Sequence, residues 1–113
     1  MYIELKQDEF LQIRNFISLI LDQSKKPNLK KTVKQQLGIS WDKLDAIKID
    51  LIYSKTMDIQ KKKELLKFLK KIVARMNDSE ELERNVKKDY KITKKQIELS
   101  IEKLKKKKEL SYD

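Results

Sequence analysis

One glycine, Gly38, and one proline, Pro27, are the only residues of their types among 113. β-Hairpins and β-sandwiches depend on turns that contain glycine and proline. Because this chain has only one of each, it lacks the turn residues that those folds need. Lys, Glu, Leu, Ile and Gln dominate the sequence instead. The composition therefore predicts an all-α protein, a compact bundle of about five to six helices.

Apolar residues at helical spacing divide the chain into helices. Asn28 and Asp58 stand where N-cap residues are expected, and Thr93 with Gln96 has the spacing of a capping box. Residues 1–113 are predicted to form a single helical domain, with 105–113 as a basic tail subject to fraying. The predicted helices cover residues 6–23, 28–37, 40–55, 58–76, 78–88 and 93–104.

Gly38 lies between two of these helices. Val33 and Leu37 lead up to it, and glycine takes the left-handed conformation that ends a helix at no steric cost. Ser40 follows as an N-cap residue, and Leu44 continues the apolar stripe of the next helix. The stretch predicts a helix, a tight turn and a second helix, with the corner at Gly38.

This spacing resembles the helix-turn-helix family of DNA-binding proteins, over residues 29–47. In that family an apolar residue, a glycine, an apolar residue and a small polar residue lead into the second helix, with buried positions four and seven residues later. The matching residues are Leu37, Gly38, Ile39, Ser40, Leu44 and Ile47. The resemblance implies that the second helix enters a major groove. Its face toward the bases would hold Ser40, Trp41, Asp42, Lys43, Asp45 and Ala46.

The same stretch fits a glycine-capped corner between two bundle helices equally well. Lys34 stands four positions before the glycine, where helix-turn-helix proteins commonly carry a small residue. Residues 40–57 contain three lysines and three aspartates, and phosphate would repel aspartates aimed at a groove. Trp41 suits packing over the corner as well as stacking on a base. Both interpretations stay open on the sequence.

A second pattern of helix, short turn and helix covers residues 79–112. Its end, from Leu104 to Tyr112, resembles the helix that precedes the wing in winged-helix proteins. The sequence stops where a wing would begin, and the turn between Val86 and Ile97 is several residues longer than in that family. In the nucleic-acid interpretation the lysines of this region, Lys94 and Lys95 among them, form a second contact with phosphate.

The net charge is +10, from 28 basic and 18 acidic residues. Lysine richness often accompanies AT-rich genomes, but the same codon bias also supplies acidic residues and does not explain the excess. Such a surplus favours a polyanionic partner: nucleic acid first, an anionic membrane surface second and an acidic protein third.

The positive charge is concentrated in three segments. Residues 25–34 hold five lysines and no acidic residue, and residues 87–109 hold ten lysines against four acidic residues. The helix at 58–76 carries seven basic residues against two acidic ones. Its wide apolar face favours a core helix over a membrane-surface or calmodulin-like segment. Residues 1–22 are net negative and are expected to face away from a polyanion.

The chain contains neither cysteine nor histidine, so disulfides, thiolate sites and imidazole-based metal or acid–base sites are excluded. It has no glycine-rich phosphate loop, and its acidic pairs fit solvated helix faces better than a metal site. We predict a protein that is not an enzyme and that needs no cofactor and no metal. No signal peptide pattern follows Met1, and no run approaches about 18 apolar residues, so a cytoplasmic protein with no membrane span is expected.

Two classes of function follow. The first is a small nucleic-acid-binding protein, a regulator of transcription or an accessory factor, with DNA favoured over RNA; its few arginines imply backbone binding more than base reading. The second is a helical-bundle interaction protein, such as an inhibitor, an immunity protein or a complex subunit, whose basic face meets an acidic protein. A homodimer is compatible with either. The predicted nucleic-acid contacts are Lys30, Lys31, Lys34, Ser40, Trp41, Asp42, Lys43, Asp45, Ala46, Lys48, Lys94 and Lys95.

Overall fold

The computed structural model of the chain describes residues 1–24, 26–53 and 56–108. Within these ranges it contains six α-helices, a 3₁₀ turn at Gln7–Phe10 and two short strands. The predicted all-α bundle of five to six helices is confirmed. No helix of the described ranges combines the length and the apolar character needed to cross a bilayer. The helices are α1 (Leu11–Gln23), α2 (Pro27–Leu37), α3 (Trp41–Tyr53), α4 (Ile59–Asp78), α5 (Glu80–Tyr90) and α6 (Lys94–Lys106).

Two predicted caps fix the starts of α4 and α6. The carboxylate of Asp58 accepts the N–H of Gln60 at 2.8 Å, which satisfies one of the free donors at the start of α4. At α6 the Thr93 hydroxyl accepts the Gln96 N–H at 3.2 Å, and the Gln96 side chain accepts the Thr93 N–H at 2.8 Å. The predicted capping box is therefore present.

Three predicted helix starts are wrong. The helix predicted from residue 78 begins at Glu80 after the Ser79 cap, and Asp78 is the last residue of α4. The helix α2 begins at Pro27, with an extended Lys26 before it, so Asn28 lies inside the first turn and is not the N-cap. Proline suits the first position because its missing N–H would have no partner there. The helix predicted from residue 6 begins instead with the 3₁₀ turn, and the backbone of Phe10 breaks from it before α1 starts.

A small antiparallel sheet, which the sequence patterns do not predict, joins β1 (Tyr2–Glu4) to β2 (Thr56–Asp58). Ile3 and Met57 are partners across the sheet, and both are fully buried. Strands of three residues are too short to show an alternating pattern. The sheet attaches the start of the chain to the segment between α3 and α4.

The long helix α4 lies between α3 and α6. Its start is tied to α3 by an ion pair between Lys61 and Asp50, whose charged atoms are 3.0 Å apart. Its end is tied to α6 by Lys94, whose Nζ donates to the Asn77 side chain at 2.9 Å. Further residues of α4 reach the core beneath, where the Phe68 ring lies near a phenylalanine of α1.

Apolar residues from the six helices and both strands pack into a hydrophobic core, as the predicted stripes require. The largest fully buried side chains include Phe10 and Phe68. Every buried side-chain nitrogen and oxygen of the described residues has a hydrogen-bond partner. The core includes Ile13, Phe16, Ile17, Leu44, Ile47, Leu51, Leu65, Leu69, Ile72, Met76, Val86, Ile97, Ile101 and Leu104.

Part of the predicted basic tail belongs to α6 or contacts the rest of the protein. Lys105 and Lys106 belong to α6. The Nζ of Lys107 is 3.9 Å from a carboxylate oxygen of Glu9, and its backbone carbonyl accepts a hydrogen bond from Lys62 at 2.9 Å. Residues 109–113, with the end of the winged-helix-like pattern, lie outside the described residues.

Candidate nucleic-acid interface

The corner at Gly38 has the geometry that the sequence predicts. Gly38 follows α2 with a φ of +70°, in the left-handed region, and its N–H donates to the carbonyl of Lys34 at 2.9 Å. The side chain of Lys71, from α4, lies over this corner: its Nζ would be 3.5 Å from a Cβ at Gly38. Ser40 then caps α3, since its hydroxyl accepts the Lys43 N–H at 3.2 Å.

Trp41 is turned toward the interior of the protein. Its indole N–H donates to the Leu21 carbonyl at 3.3 Å, and its ring is packed against the core. The Nζ of Lys30 lies 4.4 Å from the ring centroid, a cation–π contact that joins α2 to α3. Of the two interpretations of Trp41, the structure shows the packed one, and the ring closes the corner between α1, α2 and α3.

The remaining predicted base-reading residues of α3 point in several directions. Lys43 and Ala46 line a groove of about 330 Å³ between α3 and α4, with Glu64 on its other wall. Asp45 pairs with Lys48 within α3, at 3.4 Å. Of the predicted base-reading residues of α3, only Asp42 and Lys43 are exposed, and their charges are opposite. The exposed part of this predicted site is therefore small and has no net charge.

The predicted contact lysines of α2 and α6 differ in whether their charged ends are free or engaged. Lys31 and Lys34 are exposed on α2, whereas Lys30 is partly covered by its contact with Trp41. On α6, Lys95 is exposed, and Lys94 is engaged with an asparagine at the end of α4. The corner and the start of α6 are thus connected through α4.

Four exposed lysines on α4, which the predicted site omits, lie on one face of this helix with no acidic partner in the described residues. Lys63, Lys67, Lys70 and Lys71 recur at helical spacing, and all four are exposed. We call them the α4 ridge. From residue 63 to residue 71 the helix rises about 12 Å. Within the described residues none of the four makes an ion pair, whereas Lys61 and Lys62 on the same helix are engaged.

The sequence contains a signal for the α4 ridge that the charge count alone obscures. Three of its lysines have no acidic residue three or four positions away, and Lys67 has only Glu64. Intrahelical ion pairs need that spacing, so these lysines could have been separated from the others on α4. The basic face of α4 is visible in the sequence, but the wide apolar face favoured an interpretation of α4 as a core helix only.

Other chemistry at the surface is limited. The described residues contain no group of three or more acidic side chains that could hold a metal ion. One titratable group stands out: burial raises the pKa of Tyr90, the charge of Asp89 raises it further, and the hydrogen bond to Gln23 acts in the opposite direction. Tyr90 lies on α5, away from the α4 ridge in the sequence, and its hydroxyl donates to the Gln23 side chain at 2.6 Å.

Comparison of the chain with protein-family models, curated proteins and solved structures finds no match in any of the three. An inference about function therefore rests on the local geometry and charge of the surface.

Proposed function

We propose that this protein binds double-stranded nucleic acid, DNA in preference to RNA, by gripping backbone phosphates with the α4 ridge and the adjoining Gly38 corner. One observation carries the proposal: four exposed lysines on a single helix face make no ion pair within the described residues, and the side chain of one of them, Lys71, lies beside the corner. Charges already paired within a protein have less to offer a ligand, whereas these four are available.

The dimensions suit a duplex. Each strand of DNA carries a phosphate about every 3.4 Å along the helix axis, so a row of lysines about 12 Å long spans several phosphates. The exposed Lys31 and Lys34 on α2 extend the positive surface beyond the corner. Together they give about six phosphate contacts, a number typical of proteins whose DNA affinity depends strongly on salt.

The chemistry favours phosphate contacts over base reading. Lysine is a flexible point charge and lacks the planar fork with which arginine recognises guanine. On the proposed reading helix α3, Trp41 is packed inward and Asp45 is paired with Lys48. A role as an accessory factor, or as a regulator that gains its specificity from a partner, fits this surface better than a stand-alone reader of sequence.

Fluorescence anisotropy with a labelled duplex of about 20 base pairs tests the proposal in its simplest form. Between about 50 and 200 mM salt, six contacts should weaken binding on the order of a thousandfold. Two unrelated sequences should bind alike, because phosphates are common to both. An absence of binding to DNA and RNA at the lower salt concentration, together with salt-sensitive binding to poly-glutamate, would contradict the proposal and favour an acidic protein partner.

A further inference from the structure

A second cavity, of about 210 Å³, opens between α1, α2, α4 and α5. Its walls are mainly apolar: Phe16 and Ile20 come from α1, Leu37 from α2, Ile72 from α4 and Leu82 from α5. Several of these side chains are only partly buried, so the cavity is open to small molecules. It does not include any lysine of the α4 ridge.

One positive charge lies among the apolar residues. Arg75 lines the cavity and is partly exposed, and within the described residues it makes neither an ion pair nor a side-chain hydrogen bond. None of the residues that line the cavity is acidic. A guanidinium presents two parallel N–H donors that match the two oxygens of a carboxylate. The charge and the geometry of this side chain therefore both suit a carboxylate.

Aromatic rings form another part of the wall. The rings of Phe16 and Tyr90 meet edge to face, with centroids 5.4 Å apart and planes at 78°. The Tyr90 hydroxyl already donates a hydrogen bond to Gln23, so the ring presents mainly apolar surface to the cavity. A planar ring is the shape that continues such an edge-to-face cluster.

We propose that this cavity binds a small aromatic monocarboxylate, with its ring against Phe16 and Tyr90 and its carboxylate paired with Arg75. The volume limits the ligand to about one ring, because cavities that hold drug-sized molecules measure about 300–1,000 Å³. The cavity shares no residue with the α4 ridge but lies beside it, since Ile72 directly follows Lys71 and Leu37 directly precedes Gly38. Its occupation requires no nucleic acid.

Phenylacetate and its neutral isostere phenylacetamide are suitable probes, used with the full-length protein and followed by methyl NMR signals. At about 10 mM, above the roughly millimolar dissociation constant expected of so small a ligand, phenylacetate should shift the signals of Ile20, Leu37 and Leu82. Phenylacetamide should bind about tenfold more weakly, since it lacks the charge that pairs with Arg75.

Two variants distinguish a specific pair between Arg75 and the carboxylate from general attraction by the positive charge of the protein. Arg75→Gln should weaken phenylacetate binding about tenfold. Arg84→Gln removes the same charge from an exposed position outside the cavity and should change binding less than about twofold. Unshifted signals with phenylacetate, equal affinity for the amide, or equal losses in both variants would overturn the proposal. Shifts of the same signals on raising protein concentration alone would also overturn it, since they would indicate that a second copy covers the cavity.

Discussion

The helices α3 and α4 lie side by side, yet their charges are used differently. Residues 41–53 of α3 hold two lysines and three aspartates, and Lys48 is paired with Asp45. Residues 59–78 of α4 hold seven basic and two acidic residues, and the α4 ridge has no ion pair within the described residues. The helix that resembles a DNA reader is nearly neutral, while its neighbour carries the available charge. A helix whose sequence resembles a reading helix therefore need not be the helix that carries the unpaired charge.

Among the substitutions that separate the roles of α3 and α4, removal of the lysines of the α4 ridge should reduce duplex affinity the most. Replacing Lys63, Lys67, Lys70 and Lys71 together by Gln should weaken duplex binding about a hundredfold near 100 mM salt, because four phosphate contacts are lost. The measurement is anisotropy at constant salt, with circular dichroism to verify the fold.

The matched control removes the same number of charges elsewhere. Lys6, Lys26, Lys87 and Lys88 are exposed, and replacing all four by Gln lowers the net charge equally. This control should lose less than about tenfold, because long-range attraction is screened beyond the Debye length. Equal losses in the two variants would show that net charge matters and that the α4 ridge does not.

Gly38 ends α2 in a left-handed conformation, so its substitution should affect stability. Gly38→Ala should lower the free energy of unfolding by about 1–2 kcal/mol, because an L-residue is strained at a φ of +70°. Chemical denaturation measures the loss. The neighbouring contact is not the cause, since a Cβ would meet Lys71 at an ordinary distance of 3.5 Å.

Two other substitutions serve as controls for the loss of stability expected of Gly38→Ala. Lys31→Ala, at an exposed position of α2, should change stability by less than about 0.5 kcal/mol. Lys91 also ends a helix with a positive φ, of 55°, so Lys91→Gly should stabilise the protein by up to about 1 kcal/mol. An unchanged melting temperature for Gly38→Ala would show that the corner does not require glycine.

Trp41 distinguishes a structural role for the start of α3 from a binding role. Trp41→Phe should cost about 1 kcal/mol of stability, because the indole hydrogen bond at 3.3 Å is lost and the Leu21 carbonyl keeps the Ser24 N–H as a donor. Duplex affinity should stay within about twofold, since the packed indole does not stack on a base. Tyr53→Phe, at a side chain that is 79% exposed, is the aromatic control. A large loss of affinity without a loss of stability would assign the ring to the ligand.

The smallest effect is expected from the aspartates of α3. Replacing Asp42 and Asp45 by Asn should tighten binding a few-fold, and equally for a selected duplex and a scrambled one, because two repulsive charges are removed. Loss of preference for the selected duplex would instead show that these carboxylates read bases and would restore α3 as the reading helix.

Much of the fold could be predicted because it is specified locally. The caps at Asp58 and Thr93 and the glycine at position 38 each depend on residues within one turn of the chain. The pairing of Ile3 with Met57 could not be predicted, because it joins distant segments through strands too short to show alternation.

The same distinction applies to the candidate site. The net charge of α4 is visible in the sequence, but the pairing of Lys61 with Asp50 and the bond from Lys62 to the Lys107 carbonyl are tertiary contacts. The spacing of acidic residues could have singled out the α4 ridge, but the partners that engage Lys61 and Lys62 are visible only in the structure. Likewise, nothing local shows that Ala46 lines a groove between α3 and α4.

The salt dependence of duplex binding tests most directly whether the α4 ridge holds phosphate. The slope of log affinity against log salt counts phosphate contacts, at about 0.9 per contact, and does not depend on the absolute affinity. We predict that the slope for the α4 ridge variant is shallower than that of the unmodified protein by about 3 to 4, while the control changes it by less than about 1. Equal slopes for the unmodified protein and the α4 ridge variant would contradict the account.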